Sequence, residues 1–500
     1  MNAVLKINIG LLGWIMACLM ALEGVAFAES PTLKEEVKPF PPPAEGWVAY
    51  AASIKFSDDM TQMTYVASKD KKFAVFHNGN IGPLYDGIGQ DTPVFSPNGK
   101  RMGYKAKKAQ HWVMVLDGKE MPPYEALSAP GFSPDSTRVI YIGKKNGKQC
   151  LVADGREIGC FDGILKNYYG FSRDSKRWAA VALKDQKYIA VVDGKEGAVY
   201  ENMTPPLFSP DSRRYAYTAK RSGQWVLVVD GKEGPAYDAT GAFVFSPDSR
   251  HLHLAVKKGD KWRMVVDGKE SPSTYDGVGI PVFSPDGNTI SQVVLRDEKW
   301  FMRVNDREEA AWDEIFVLSY SADSKRMAYN TRKGKNQFMV VDRKAYGPYD
   351  TASMAVFSPH SRHVAFAAQK DDKWFVVMDG KEGPSYAAVS TPLFSPDGNH
   401  MAYLAQKENI WLVVIDGKEG PAYANVANPV WSPDSRHLAY MAERSGQWLI
   451  SVGNHAAKNI FGGFLKGSTI QFVAPNRLRV LAMRPSKMGA DFFKYEIEIH

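Results

Sequence analysis

The stretch FSPDSRHLHLAVKKGDKWRMVVDGKESPSTY, from Phe245 to Tyr275, is the clearest copy of a unit that recurs about twelve times along this chain of 500 residues. An aromatic anchor opens each copy, and successive anchors lie 37 to 39 residues apart until a last gap of 41. The anchors are Phe56, Phe95, Phe132, Phe171, Phe208, Phe245, Phe283, Tyr320, Phe357, Phe394, Trp431 and Phe472. A fixed period of this length predicts a stacked or circular array.

Each unit contains four short apolar runs separated by turn sequences. Ser284-Pro285-Asp286-Gly287 is typical of the first turn, because Pro presets its backbone angle, Asp caps it and Gly accepts positive φ. The third run, such as Trp225 to Val229, ends in Asp-Gly, which is a strong hairpin signal. Four antiparallel strands per unit are the content of a propeller blade. The sequence therefore predicts an all-β fold, a β-propeller of about twelve four-stranded blades.

The Phe-Ser-Pro-Asp-Ser/Gly signature, followed by an apolar strand and an aromatic-led strand, resembles the TolB-like, WD-repeat-like propeller repeats of exported bacterial proteins. The resemblance covers about Trp47 to His500 and implies the fold rather than an activity. TolB-like proteins pair a six-bladed ring with a small α/β domain, and no such domain fits in this sequence. The repeat ending seen from Val413 to Tyr423, VVIDGKEGPAY, marks a subgroup whose role the resemblance does not supply.

Twelve units exceed the four to eight blades of an ordinary ring, which favours two six-bladed rings in tandem. We expect them to span residues 46–275 and 276–500, with the boundary somewhere in 270–345, where the repeat loses its Asp-Gly turn. The alternative is one large ring. The last unit supplies only three strands, so we expect an N-terminal strand, at Trp47 to Tyr50, to complete it and to remove two exposed sheet edges.

The first 28 residues predict a signal peptide, with Lys6 before an apolar stretch from Ile9 to Ala21 and an Ala-x-Ala site ending at Ala28. This predicts export, with the periplasm as destination. Secretion and lipid anchoring at Cys18 are the alternatives. Residues 29–45 predict a proline-rich linker. The mature chain has no apolar run long enough to cross a bilayer.

Composition gives few hints of a ligand. The formal charge of +7 is spread over every repeat, which argues against nucleic-acid binding, and we expect a monomer without cofactor or metal. His251 and His253 share a strand face but have no third ligand nearby in sequence. Cys150 and Cys160 flank an Asp-Gly turn, where they either form a cross-strand disulfide or remain two thiols.

Two charged positions recur. Six residues after the anchor stands a basic side chain, which predicts either a cationic belt for an acidic partner or turn residues that pair with an Asp of their own repeat. These residues are Arg101, Arg138, Arg177, Arg214, His251, Arg326, His363, His400 and His437. An acidic residue that follows the fourth-strand aromatic predicts either an acidic ring or a polar start to the crossing loop. These residues are Asp86, Glu125, Asp162, Glu201, Asp238, Asp276, Asp313 and Asp350.

These features predict a non-enzymatic scaffold of the cell envelope that binds a protein or polymer partner. The loops after the fourth strand, at residues 87–92, 163–169 and 351–355, vary most between copies and are the expected contact surface. The alternative is a propeller enzyme, a glycan lyase or hydrolase, with its site at the central channel.

Overall fold

The computed structural model describes residues 31–41, 45–465, 468–486 and 489–500, and within these ranges the side chains of Asn167 and Gly489 are left aside. The described residues form twelve antiparallel sheets, which are the blades of a β-propeller, numbered 1 to 12 after their anchors. In each blade the first strand of the repeat lies at one edge of the sheet and is innermost, and the fourth is outermost. The predicted all-β propeller is confirmed. The predicted signal peptide and Cys18 lie outside the described residues.

The second and third strands form the regular centre of each blade, and they owe their buried positions to alternating apolar side chains. The second strands are Met63–Lys69, Met102–Lys108, Val139–Lys145, Trp178–Lys184, Tyr215–Arg221, Leu252–Lys258, Ile290–Arg296, Met327–Lys333, Val364–Lys370, Met401–Lys407, Leu438–Arg444 and Arg477–Ser486. The third strands are Lys72–His77, His111–Leu116, Lys148–Ala153, Lys187–Val192, Gln224–Val229, Lys261–Val266, Lys299–Val304, Asn336–Val341, Lys373–Met378, Ile410–Ile415, Gln447–Val452 and Gly489–Ile499.

The outermost strands carry exposed Lys and Glu side chains, which discourage pairing with another chain. They are Asn80–Ile81, Lys119–Tyr124, Arg156–Phe161, Lys195–Tyr200, Lys232–Tyr237, Lys269–Glu270, Arg307–Trp312, Lys344–Tyr349, Lys381–Glu382, Lys418–Glu419, His455–Ala456 and, for blade 12, Leu33–Pro39.

The innermost strands are interrupted, eight by a break and four by a register shift. The broken ones are Val48–Ala49 with Lys55–Phe56, Gly87–Ile88 with Val94–Phe95, Ala126–Leu127 with Gly131–Phe132, Asn202–Met203 with Leu207–Phe208, Gly277–Val278 with Val282–Phe283, Thr351–Ala352 with Val356–Phe357, Ala388–Val389 with Leu393–Phe394, and Gly463–Phe464 with Gln471–Ala474. The continuous ones are Gly163–Phe171, Ala239–Phe245, Glu314–Tyr320 and Asn425–Trp431. A short 3-10 helix, Ala51–Ser53, fills the break in blade 1. None of these edges is flat, so the channel wall does not present a template for strand pairing.

The twelve blades form one closed ring, and the tandem arrangement of two six-bladed rings is wrong. A buried apolar cluster joins every pair of successive blades, including blade 6 to blade 7 and blade 12 to blade 1. At the last junction Phe492 of blade 12 meets Phe56 of blade 1, with ring centroids 5.9 Å apart. The expected boundary region, 270–345, therefore carries an ordinary junction: Tyr275 and Met264 of blade 6 pack with Val294 of blade 7.

An N-terminal strand completes blade 12 as predicted, but a different segment provides it. Leu33–Pro39 pairs antiparallel with the last strand, from Leu33 opposite Ile499 to Pro39 opposite Phe493. This strand lies inside the segment that the sequence assigned to a proline-rich linker, because prolines surround a short alternating run of apolar and charged residues. Val48–Ala49, from the segment expected to close the ring, pairs instead within its own blade as an inner strand.

Candidate binding surface in the central channel

The basic side chains after the anchors join neighbouring blades instead of forming a free cationic belt. Arg177 shows the pattern: its Nε donates to Asp193 of its own repeat at 2.8 Å, its Nη1 donates to the carbonyl of Arg213 in the next blade at 2.7 Å, and its guanidinium lies 5.1 Å from the Phe208 ring. Eight of the nine predicted residues pair with an Asp in this way. His437 is the exception, because Gly453 stands where the Asp would be, and burial lowers its pKa.

The acidic residues at the other face also connect blades. Asp276 accepts hydrogen bonds from Lys261 in blade 6 and from the backbone N–H of Asp297 in blade 7. Each of the other seven accepts a backbone N–H from the corresponding turn of the following blade. Their carboxylates cap these turns, so the acidic ring is a set of structural contacts.

A third connection was missed in the sequence. The Glu of the Asp-Gly-Lys-Glu turn accepts the hydroxyl of the fourth-strand Tyr of the preceding blade, as in Tyr200 to Glu233 at 2.7 Å and Tyr386 to Glu419 at 2.9 Å. The repeated Tyr and Glu lie 33 residues apart, nearly one period, and that spacing was the available signal.

The Ser-Pro-Asp turns provide a fourth connection, through the Ser that follows the Asp. Ser175 adopts φ 64° and accepts the backbone N–H of Asp135 in the preceding blade at 3.0 Å. We expect Ser175→Ala to lower the free energy of unfolding by about 1 kcal/mol, the worth of one hydrogen bond. Ser222→Ala is the matched control, because Ser222 shares the left-handed backbone, at φ 50°, on an exposed hairpin. Equal losses in urea denaturation of the two variants would contradict the assignment.

The Asp residues of these turns give the ring a common acid response. The Ser133 hydroxyl and the Thr137 backbone N–H lower the pKa of Asp135 to about 2, and Asp286 and Asp397 are lowered to about 2 in the same way. A depressed native pKa contributes stability that is complete above about pH 4 and is lost as the pH falls toward about 2. We therefore expect the thermal midpoint to fall steeply between those values. A flat profile in that range, measured by circular dichroism, would contradict this prediction.

Cys150 and Cys160 form a disulfide in the structure. The hairpin between them has a two-residue loop, which by itself would place them out of register, but a bulge at Ile158 brings Cys150 opposite Cys160. Within the described residues, these two Cys and Glu157 are the only group of three candidate metal ligands that converge, and two of them are bonded to each other. His251 and His253 do not act together, since His251 binds Asp267 while the His253 ring is buried without a hydrogen bond.

The inner strands are where the molecule leaves apolar side chains exposed. Phe316 and Val317 in blade 8 are 45% and 46% exposed, and Met354 in blade 9 is 49% exposed. The other exposed apolar residues on inner strands or their breaks in blades 4, 5 and 7 are Tyr168, Leu207, Ile280 and Val282. Together these seven residues form what we call the apolar arc. The corresponding inner-strand residues of blades 10 to 12 include Thr391, Asn428 and Thr469, so the wall is apolar on one side of the ring.

The segments that the sequence assigned to variable loops, 87–92, 163–169 and 351–355, belong to these inner strands and their breaks. They vary between copies because the inner strand absorbs insertions without disturbing the paired strands outside it. In blade 4, Ile164 pairs with Ala182 and Tyr169 with Ala180, so residues 165–168 stand opposite Val181 alone. The variable surface is therefore the channel wall.

No protein-family model and no curated protein sequence matches this chain. Similar solved structures include a eukaryotic initiation factor (15% identity, 79% of this chain and 96% of that chain covered, TM-score 0.33). Others are TolB from Acinetobacter baumannii (12%, 56% and 95%, TM-score 0.23) and the Dos1 propeller (10%, 73% and 92%, TM-score 0.27). These similarities extend no further than the fold. Within the described residues no helix has the length and apolarity needed to cross a membrane.

Proposed function

We propose that the protein is an exported, non-enzymatic scaffold of the cell envelope that binds a partner protein on the wall of its central channel. The observation that supports this is the apolar arc. Exposed apolar patches cost solubility and commonly mark interaction sites. On both faces of the ring the repeated charges are already engaged between blades, so the channel wall is the surface whose side chains remain available.

A rigid frame suits such a role. Each junction combines an apolar cluster with hydrogen bonds from four repeated positions, as between blades 4 and 5. Binding residues on a rigid frame lose little conformational entropy when a partner docks. The N-terminal signal sequence and the disulfide support an oxidising compartment outside the cytoplasm.

The test is capture of a partner from an envelope extract by the mature chain. We expect Phe316→Ser/Val317→Ser/Met354→Ser to reduce capture of that partner at least tenfold, because it removes the centre of the apolar arc. Val199→Ser/Val266→Ser is the matched control, since these two residues are similarly exposed, at 42% and 38%, but lie on an outer and a third strand. Undiminished capture by the arc variant would sink the proposal, and cell fractionation would test the export on which it depends.

A further inference from the structure

The inner strand of blade 4 carries the most prominent feature of the channel wall. Four residues, 165–168, stand opposite one residue of the second strand, whereas in blades 6, 8 and 11 the shift is a single extra residue. The extra length has to leave the plane of the sheet. Because it sits on the innermost strand, it projects toward the channel and carries Lys166 and Tyr168, both exposed.

A groove of about 580 Å³ lies between this projection and the inner strands of blades 5 and 6. Tyr168 and Tyr169 form one wall, and Pro205, Pro206 and Leu207 form the other. The strand between the walls is open, since a Cβ added to Gly170 would meet nothing within 4 Å. Tyr168 is 39% exposed and Leu207 is 48% exposed, so both offer apolar area to a bound segment.

The charges around the groove are positive and are not used by the ring. Arg173 lines the groove and stands where most repeats have the Pro of the Ser-Pro-Asp turn. Lys105 of blade 2 is half-buried; burial lowers its pKa, Asp91 opposes this and the charge of Lys166 adds to it, which places the two ammonium groups near each other. Unlike Arg177 and its equivalents, Lys105, Lys166 and Arg173 form no ion pair with any residue that the structure describes. A concave surface with unpaired charge of one sign attracts the opposite charge.

We propose that this groove is the docking site for an acidic peptide segment of the partner protein, one that carries apolar side chains between its carboxylates. The inference rests on the proposed function and names the chemistry of the partner. The three cations call for carboxylates. The walls call for a peptide rather than an acidic glycan, because Pro, Leu and Tyr offer apolar contact and few hydrogen-bonding groups. Aromatic and proline-lined grooves are a recurrent way of holding extended peptides.

The test uses fluorescein-labelled eight-residue peptides and the full mature chain, followed by fluorescence anisotropy at about 0.05 M and 0.5 M salt. We expect the peptide of alternating Glu and Leu to bind at least tenfold more tightly than alternating Lys and Leu or alternating Glu and Ser, and to weaken at high salt. Lys166→Glu/Arg173→Glu should reverse the preference toward the Lys-Leu peptide. Lys195→Glu/Lys232→Glu, with the same change in net charge on the outer strands of blades 4 and 5, should leave it unchanged.

Three results would overturn the inference: no binding of the Glu-Leu peptide, unchanged binding to Lys166→Glu/Arg173→Glu, or tighter binding of a labelled oligogalacturonate than of any peptide. These results leave the proposed function standing if Phe316→Ser/Val317→Ser/Met354→Ser still abolishes partner capture, because that variant does not touch the groove. Loss of peptide binding together with unaffected capture by the arc variant would remove both proposals.

Discussion

Glu35→Ala should lower the free energy of unfolding by about 2–4 kcal/mol, among the larger losses for a single change in this ring, because it leaves several buried donors without an acceptor. Glu35 lies on the closing strand and accepts the hydroxyl of Tyr495 at 2.6 Å, the backbone N–H groups of Lys458 and Asn459 at 2.7 and 2.8 Å, and the Asn459 side chain. It therefore fastens the N-terminal strand to blades 11 and 12. Chemical denaturation of the mature chain measures the loss.

Glu36→Ala is the matched control, since the neighbouring carboxylate points to solvent and pairs with the exposed Lys38. We expect it to change the free energy of unfolding by less than about 0.5 kcal/mol. Burial raises the pKa of Glu35, but its hydrogen bonds outweigh burial and the pKa is lowered. The difference between the two variants should therefore shrink as the pH falls below about 4, where protonation of Glu35 removes its contribution in the parent chain. Equal losses, or a difference that grows in acid, would contradict this role.

The fold could be predicted from the sequence because each blade is specified locally. The anchor, the Ser-Pro-Asp turn and the Asp-Gly hairpin fix four strands within one period, and these features recur in blade after blade. The number of rings could not be predicted in this way. Each junction between blades is built from the same residue types, so nothing local distinguishes a contact inside a six-bladed ring from one inside a twelve-bladed ring. Only the pairing of blade 12 with blade 1 decides it.

The charged positions show the same limit at the level of single residues. A basic residue six places after an anchor reads as a surface charge, and only the neighbouring blade reveals that Arg177 is held by a carbonyl and an aromatic ring. The channel wall was hidden for a different reason. Inner-strand residues such as Leu207 and Ile280 belong to the apolar runs of the repeat, and their exposure depends on the width of a closed ring. The sequence did identify the variable segments correctly, but as loops rather than as interrupted inner strands.

Glu496→Gln should cost about 3–5 kcal/mol, because it leaves partly buried cations without their counter-charge. The Glu496 side chain is 3% exposed; it accepts hydrogen bonds from Arg477 and Arg479 and lies 3.6 Å from Lys494. Burial alone would raise its pKa, but the two guanidinium groups lower it to about 2. Its contribution is therefore complete above about pH 4.5 and is lost as the pH falls toward about 2.

The effect should extend beyond blade 12, because Arg479 also donates to the carbonyl of Asp59 in blade 1 and so connects the cluster to the junction that closes the ring. Glu498→Gln is the matched control, two residues along the same strand and 40% exposed, with ion pairs to Lys34 and His500 at 3.8 and 3.5 Å. We expect urea denaturation to show a loss of at least 2 kcal/mol more for Glu496→Gln than for Glu498→Gln at pH 7, and hydrogen exchange to show faster opening of the closing strand. Comparable losses in the two variants would mean that the cluster does not hold the ring closed.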